Sequence, residues 1–182
     1  MRVLGISGSL RSDSHNQRLL QAAAKLLPPE VEFVEFTGLK AIPPFDEDDE
    51  AAPGAAVQVW REEIERADAL LFATPEYNHS IPGALKNAVD WASRPFATAA
   101  LRNKPAAVIG TSTGMFGAVW AQAELRKSLA AAGARVIDAE LPVGEAETAF
   151  APDGTLAEHD LTLTLGGIGA ELVAEASPAL AA

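Results

Sequence analysis

Three short polar segments carry residue types that could bind a phosphorylated or heterocyclic ligand. The first segment, residues 8–16, combines short hydrogen-bonding side chains with one cation, and its polar members include Ser9, Arg11, Ser12, Ser14 and Asn16. A helix that begins at the end of this segment would add free backbone N–H groups and a partial positive charge. Arg11 could form charge-assisted hydrogen bonds to phosphate oxygens. The segment therefore fits a phosphomonoester cradle, although a helix N-cap at Ser14 or Asn16 would also explain its polar residues.

The glycine spacing in this segment does not match the two common nucleotide-binding loops. Its sequence is GSLRSDSHN, so that Gly8 is the one glycine available. The dinucleotide motif G-x-G-x-x-G needs further glycines, and the P-loop G-x-x-x-x-G-K-[ST] needs a second glycine and a lysine. Neither loop is therefore predicted here.

The second segment, residues 75–83, has the sequence PEYNHSIPG and predicts a stiff loop. Pro75 and Pro82 restrict the backbone near its ends, and Tyr77 and Asn78 lie between them. Such a loop can place backbone N–H groups along the edge of a flat heterocycle. A tight turn before a helix, with Pro82 at the first helical position and Tyr77 covering the core, is the alternative interpretation.

The third segment, residues 110–117, is a loop rich in glycine and hydroxyl groups with the sequence GTSTGMFG. Its glycines permit a ligand to approach the backbone closely. The hydroxyl groups of Ser112 and Thr113 could meet a pyrimidine edge or a polyhydroxyl chain. Because loops of this composition are common, the segment by itself is weak support for a binding site.

Strand-like and helix-like stretches alternate along the chain and indicate an α/β fold. Apolar runs predict strands at residues 2–7, 31–36, 69–74 and 106–110 and a fifth that begins at residues 135–137. Helical spacing predicts helices at about residues 16–27, 57–67, 83–92, 117–132 and 155–175, and residues 38–54 predict a long solvated loop or a lid. Nearly unbroken apolar strands are typical of a parallel sheet covered on both faces. We therefore expect a flavodoxin-like three-layer sandwich with strand order 2-1-3-4-5.

This fold would bring the three polar segments together. In doubly wound α/β proteins, ligands bind beyond the carboxyl ends of the strands, and the segments follow the first, third and fourth predicted strands. One crevice would then be lined by a phosphate cradle, a stiff donor loop and a hydroxyl-rich loop. Their joint position supports a ligand site more strongly than any single segment does.

Composition limits the classes of protein and partner. A chain of 182 residues suits one domain spanning residues 1–182, and the absence of cysteine excludes disulfides, thiol nucleophiles and thiolate metal sites. A net charge of −11 disfavours nucleic-acid partners, and no apolar window is long enough for a membrane span. A metal site is not predicted, because His15, His79 and His159 lack the spacing of metal ligands. A serine hydrolase is not expected either. We expect a cytoplasmic protein without nucleic-acid or membrane partners.

Two of the motifs closely resemble those of a known protein family. GSLRSDSHN at residues 8–16 and PEYNHSIPGALKNAVDW at residues 75–91 are similar to the motifs of NAD(P)H-dependent FMN reductases, a family that includes bacterial quinone, chromate and azo-dye reductases. The resemblance extends from residue 1 to about residue 143, whereas the chain beyond Gly144 adds little. It implies an enzyme that binds FMN, takes electrons from NADH or NADPH and passes them to a small-molecule electron acceptor such as a quinone or a flavin.

The resemblance also implies which residues hold FMN and which serve other roles. Matching positions assign the phosphate to Ser9, Arg11, Ser14 and Asn16, the isoalloxazine edge to Pro75, Glu76, Tyr77 and Asn78, and the other side of the ring to Ser112, Thr113 and Gly117. Asp90 and Trp91 would serve helix packing or a subunit interface. Many relatives continue the third loop with two glycines and an arginine, whereas this chain has Trp120 there. The shape and charge of the acceptor pocket would differ accordingly.

Several functional hypotheses remain open from the sequence. A reductase would pass a hydride from NAD(P)H to FMN and then two electrons to the acceptor in a ping-pong sequence, with no side chain acting as acid or base in the first half. The alternatives are a flavodoxin-like electron carrier or flavin-binding regulatory module, and a hydrolase or nucleotide-binding domain without flavin. No loop residue decides between NADH and NADPH, because the cation that would bind a 2′-phosphate is not evident. A homodimer or homotetramer is implied by the resemblance alone.

Overall fold

One parallel sheet forms the centre of the computed structural model, which describes residues 1–177. Its strands are β1 (Arg2–Ser7), β2 (Glu32–Phe36), β3 (Ala69–Thr74), β4 (Pro105–Thr111), β5 (Arg135–Val136) and β6 (Pro142–Val143). The order β2-β1-β3-β4-β5 confirms the prediction. β5 pairs with the beginning of β4 and β6 with its end, so that two short strands share the fifth position.

Helices cover both faces of the sheet, which confirms the three-layer arrangement. α1 (His15–Leu26) and α5 (His159–Ala176) pack on one face, and α2 (Ala55–Arg66), α3 (Gly83–Ala92) and α4 (Val119–Ala131) pack on the other. α4 begins two residues later than predicted, because Gly117 and Ala118 have φ angles of 54° and 61°, which a right-handed helix cannot contain. Within residues 1–177, every helix is too short or too polar to cross a lipid bilayer.

The unbroken apolar sequence of β3 follows from burial on both faces. Leu70 and Phe72 pack against the layer formed by α2, α3 and α4, whereas Leu71 and Ala73 pack against α1 and α5. Every residue of β3 is buried, because successive side chains of a strand point to opposite faces. Hydrophobic burial therefore fixes the position of the carboxyl end of β3, where the second polar segment begins.

The long segment at residues 38–54 is partly fastened to α3. It contains two short 3-10 turns, Leu39–Ala41 and Glu47–Asp49. Asn87 accepts a hydrogen bond from the backbone N–H of Phe45 at 2.7 Å and donates one to the carbonyl of Pro43 at 2.8 Å. The indole Nε1 of Trp91 donates to the same carbonyl at 2.8 Å. These bonds tie the middle of the segment to a helix, which disfavours a lid that opens at residues 43–45.

Candidate functional site

Nine of the eleven predicted site residues line one cleft with a volume of about 220 Å³. The cleft lies at the carboxyl ends of β1, β3 and β4, as the fold prediction required. The nine residues are Ser9, Arg11, Ser14, Asn16, Pro75, Glu76, Tyr77, Ser112 and Thr113. Two lining residues were missed as ligand-binding candidates, namely His15 and Glu147.

The first loop, at residues 8–16, is held by hydroxyl groups that act as acceptors. Ser14 is the N-cap residue of α1, and its Oγ atom accepts hydrogen bonds from the backbone N–H groups of Asn16 and Gln17 at 3.2 and 3.4 Å. The Oγ atom of Ser9 accepts from the N–H of Arg11 at 3.4 Å. A hydroxyl group has one donor in addition to its acceptor lone pairs. Both O–H donors stay available to a ligand, since neither is used within residues 1–177.

Asn16 joins the first loop to the third. Its Nδ2 donates to the carbonyl of Thr111 at 3.0 Å, and its Oδ1 accepts from the N–H of Thr111 at 3.1 Å. Asn16 is buried, so the two bonds act in a protected environment. The side chain that the resemblance assigned to the phosphate thus also makes a structural contact, which uses one of its two Nδ2 hydrogens. Asn16 can affect a ligand by positioning Ser14 and His15.

The second loop contains a two-residue hairpin turn. Tyr77 and Ser80 exchange both backbone N–H···O bonds at 3.1 Å, and the φ angles of Asn78 and His79 are 54° and 61°. Positive φ at both central residues is the signature of a type I′ turn. This turn adds a second backbone restraint to the one that the prolines were predicted to impose. It places Tyr77 at the cleft with 54% of its surface exposed, and it places Asn78 at the turn tip, outside the cleft lining.

Glu76 binds the second loop to the first turn of α4. Its Oε2 accepts from the N–H groups of Trp120 and Ala121, both at 3.1 Å. The N-cap position of α4 is Ala118, which offers no side-chain oxygen. The carboxylate therefore caps the helix from a distant segment, where negative charge is favoured by the exposed N–H groups and the helix dipole. The other oxygen, Oε1, lies 3.5 Å from Nδ1 of His79.

The third loop is fastened by the chain that follows β6. The N–H of Ser112 donates to the carbonyl of Val143 at 3.2 Å, and the N–H of Ala146 donates to the carbonyl of Ser112 at 3.1 Å. Glu145 donates its N–H to the carbonyl of Gly114 at 3.2 Å. The chain beyond Gly144 thus contributes to the site although it adds little to the resemblance: Glu145 and Ala146 hold this loop, and Glu147 lines the cleft. No motif marks them, since their bonds use backbone atoms.

Gly117 lies in the third loop but does not line the cleft. It is buried, and a Cβ atom added to it would lie 2.3 Å from the carbonyl carbon of Pro142 and 2.5 Å from the nitrogen of Val143. The glycine therefore allows the third loop to pass directly against β6. Its effect on a ligand would come through the position of Ser112 and Thr113.

Residues 110–114 read GTSTG and match the G-x-S-x-G pattern of a hydrolase nucleophile elbow. The hydroxyl of Ser112 donates to the carbonyl of Gly114 at 3.2 Å. Within residues 1–177 no histidine is hydrogen-bonded to Ser112, so the base that a serine nucleophile needs is missing from the described site. This geometry disfavours a hydrolase, although the sequence carries the pattern.

The comparisons with known proteins agree with this geometry. The family model described as NADPH-dependent FMN reductase matches residues 1–148. The chain belongs to this family. An NAD(P)H-dependent FMN reductase from Pseudomonas aeruginosa is 46% identical over 158 residues, which cover 86% of this chain and 84% of the relative.

Further relatives extend the similarity to quinone reductases and to a solved flavoenzyme. A 2-hydroxy-1,4-benzoquinone reductase from a Burkholderia species is 41% identical over 126 residues, which cover 69% of this chain and 68% of the relative. The structure of FerB, a flavoenzyme NAD(P)H:(acceptor) oxidoreductase from Paracoccus denitrificans, superposes with a TM-score of 0.84 at 37% identity and covers 96% of both chains. The predicted family, fold, enzyme class, FMN cofactor and NAD(P)H donor are thereby confirmed.

The first loop of this FMN reductase fits a phosphate group. Beyond the O–H donors of Ser9 and Ser14, the backbone N–H groups of Ser12 and His15 have no acceptor within residues 1–177. Nδ1 of His15 is buried and also lacks a partner among these residues. Buried polar atoms are normally hydrogen-bonded, and the N-terminus of a helix attracts anions. Together with Arg11, these donors could satisfy the phosphate of FMN.

The cap that Glu76 provides gives a prediction for stability. Glu76→Ala should lower the free energy of unfolding by about 1–2 kcal/mol, because two N–H groups of α4 lose their acceptor. Glu76→Gln should cost less than about 1 kcal/mol, since the amide oxygen can still accept. Urea denaturation followed by circular dichroism measures both changes.

The matched control for the Glu76 variants is Glu62→Ala on α2. Glu62 is exposed and forms a long 3.8 Å pair with Arg66, so this variant should change stability by less than about 0.5 kcal/mol. If Glu76→Ala were no more destabilising than this control, the carboxylate would not be a stabilising cap.

Proposed function

We propose that this enzyme transfers two electrons from NAD(P)H to small aromatic acceptors, quinones above all, in a ping-pong sequence. The observation that carries the proposal is one cleft with unused phosphate donors at the first loop and an exposed tyrosine at the second. Donor and acceptor would occupy the same place beside Tyr77 in turn. FMN, when bound, supplies the hydride and electron transfer chemistry.

The protein's own groups bind and orient in this proposal. Ser9, Arg11 and Ser14 would hold the phosphate by charge-assisted and neutral hydrogen bonds. Backbone donors of the second loop would stabilise negative charge on a reduced ring. Tyr77 cannot contribute its N–H, which donates to Ser80. The N–H groups of Glu76 and Asn78 have no acceptor within residues 1–177, and they are the candidates for this role.

Initial-rate kinetics test the proposed sequence. Rates measured at several fixed concentrations of 1,4-benzoquinone, with NADPH varied, should give parallel lines in a double-reciprocal plot. Parallel lines are expected because the oxidised nicotinamide leaves before the quinone enters. Lines that intersect would require both substrates to be bound together, which would overturn the ping-pong proposal and leave the reductase class intact.

An aromatic group of exposed side chains beside the cleft supports a flat acceptor. Trp120 is 41% exposed and makes edge contacts with the rings of His79 and Phe116, at centroid distances of 4.8 and 5.1 Å. The backbone N–H of Trp120 donates to the carboxylate of Glu76, which lines the cleft. Aromatic surfaces favour stacking with quinones, and the three residues of this group include no lysine or arginine for an anionic acceptor.

The charge of this wall gives a prediction for acceptor preference. Trp120→Arg should raise kcat/KM for ferricyanide relative to 1,4-benzoquinone about fivefold, since one solvent-exposed charge pair contributes up to about 1 kcal/mol. Val59→Arg adds the same charge on exposed α2 and should leave the ratio unchanged. If Trp120→Arg and Val59→Arg gave the same ratio of kcat/KM for ferricyanide to kcat/KM for benzoquinone, Trp120 would not face the acceptor.

We also propose a homodimer or homotetramer of single-domain chains, with one domain spanning residues 1–182 and with a cytoplasmic location. A groove between α3 and α4 supports the assembly, because Phe96 at its edge is 65% exposed and such apolar surface marks protein contacts. The proposed cytoplasmic location is supported by the absence of cysteine, which is compatible with a reducing compartment. The net charge of −11 supports the absence of nucleic-acid or anionic-membrane partners. Light scattering at two protein concentrations measures the molar mass and so tests for the homodimer or homotetramer.

A further inference from the structure

A second cavity adjoins the cleft on the other side of the first loop. It has a volume of about 230 Å³ and lies beyond the carboxyl ends of β1 and β2. Ser9 and Arg11 line both the cavity and the cleft. A ligand that begins in the cleft could therefore continue across the first loop into this cavity.

The cavity collects positive charge in an acidic protein. Arg11 and Lys40 line it, and neither forms an ion pair within residues 1–177. The one carboxylate in its lining is Glu35, whose Oε2 accepts from Nε2 of Gln17 at 3.1 Å. Arg11 also faces the phosphate cradle of the cleft, so Lys40 is the cation that this cavity has for a second anion, while the whole chain carries −11. A local cation without a partner favours an anionic group.

The rest of the lining suits a phosphorylated nucleoside. Hydroxyl groups of Ser7, Ser12 and Thr37 add donors, and Leu10, Phe36 and Leu39 add apolar surface. The Phe36 ring is held in place by Trp60 at a centroid distance of 4.6 Å. Ligand sites commonly combine an apolar wall for a ring with a few convergent polar groups.

We propose that this cavity binds the adenosine 2′-phosphate end of NADPH, with Lys40 contacting the 2′-phosphate while Arg11 stays on the phosphate of FMN. The inference rests on the proposed function, in which the nicotinamide end reacts in the adjoining cleft. NADH has a neutral hydroxyl in place of the 2′-phosphate and leaves Lys40 without a charge partner. Lys40 is therefore the residue that gives the enzyme a preference for NADPH.

The test uses FMN-loaded enzyme and two probes that differ at the 2′ position, adenosine 2′,5′-bisphosphate and AMP. Lys40→Met should raise the Kd of the bisphosphate about tenfold in calorimetry, as expected for one charge-assisted bond, and should leave that of AMP within twofold. Lys40→Arg should retain tight binding. KM for NADPH should rise about tenfold in Lys40→Met, while KM for NADH stays constant.

Lys25→Met is the matched control. Lys25 is an exposed residue in the last turn of α1, where it donates to the carbonyl of Asp153, so its removal changes net charge equally but outside the cavity. All constants of this variant should stay within twofold of the wild type. An effect equal to that of Lys40→Met would overturn the local assignment.

The outcomes separate this inference from the proposed function. Unchanged bisphosphate binding in Lys40→Met, or an equal loss for bisphosphate and AMP, would overturn the 2′-phosphate site even if the enzyme reduces quinones. Bisphosphate binding that depends on Lys40, in an enzyme that neither NADPH nor NADH reduces, would retain the site and overturn the proposed function.

Discussion

Replacing Asn16 with leucine is expected to lower the free energy of unfolding by about 3 kcal/mol and to weaken FMN binding at least tenfold. The substitution keeps the approximate size of the side chain but removes both bonds to Thr111. The N–H and carbonyl groups of Thr111 would be left buried without partners, and each such group costs about 1–3 kcal/mol. The first loop would also lose its anchor, so the phosphate donors would no longer be preorganised.

Urea denaturation and quenching of flavin fluorescence measure the two effects. Gln21→Leu is the matched control, because Gln21 is an exposed amide on the same helix and its loss should change stability by less than about 0.5 kcal/mol. Should Asn16→Leu retain wild-type FMN affinity, the link between the first and third loops would not be required for the site.

Replacing Gly117 with alanine is expected to destabilise the protein by about 3–4 kcal/mol. The added Cβ would overlap backbone atoms of Pro142 and Val143 at 2.3 and 2.5 Å, and backbone cannot move as a flexible side chain can. The positive φ of 54° adds a cost of about 1–2 kcal/mol for any residue with a Cβ. Overpacking contributes about 1–3 kcal/mol more. The midpoint of urea unfolding should fall accordingly.

Gly83→Ala is the control, and it should change the free energy of unfolding in the opposite direction. Gly83 is the first residue of α3, and a Cβ added there has no atom within 4 Å. Alanine should therefore stabilise the protein by about 0.5 kcal/mol through the lower entropy of the unfolded chain. If both alanine variants changed stability alike, the close approach of the third loop to β6 would not be a feature of the folded protein.

The fold was predictable because its pattern is local and repeated. The run of apolar residues in β3 requires burial on both faces, and alternation with amphipathic helices then leaves few possible topologies. The division of the fifth strand position was not predictable. Gln122 binds the N–H and carbonyl groups of Leu141 with its side chain, at 3.2 Å each, and nothing in the local sequence marks this contact.

The site was predictable in its loops but not in the roles of single residues. Ser14 and Tyr77 lie where their motifs indicated. Asn16 and Glu76 bind partners 95 and 44 residues away, and residues with such distant partners carry no signal in the surrounding sequence. Lys40 reaches its cavity only because β2 lies next to β1 in the sheet. Sequence spacing can locate a loop, whereas tertiary contacts decide what each side chain does.

The ratio of the dissociation constants for riboflavin and FMN tests the central claim most directly. The two flavins differ by the phosphate alone, so the ratio measures what the first loop contributes to binding. Titration of flavin-free protein should give FMN a Kd at least about a hundredfold lower, as two or more charge-assisted bonds would produce. Equal affinity for the two flavins would contradict the account, because Ser9, Arg11 and Ser14 would then not form a phosphate cradle.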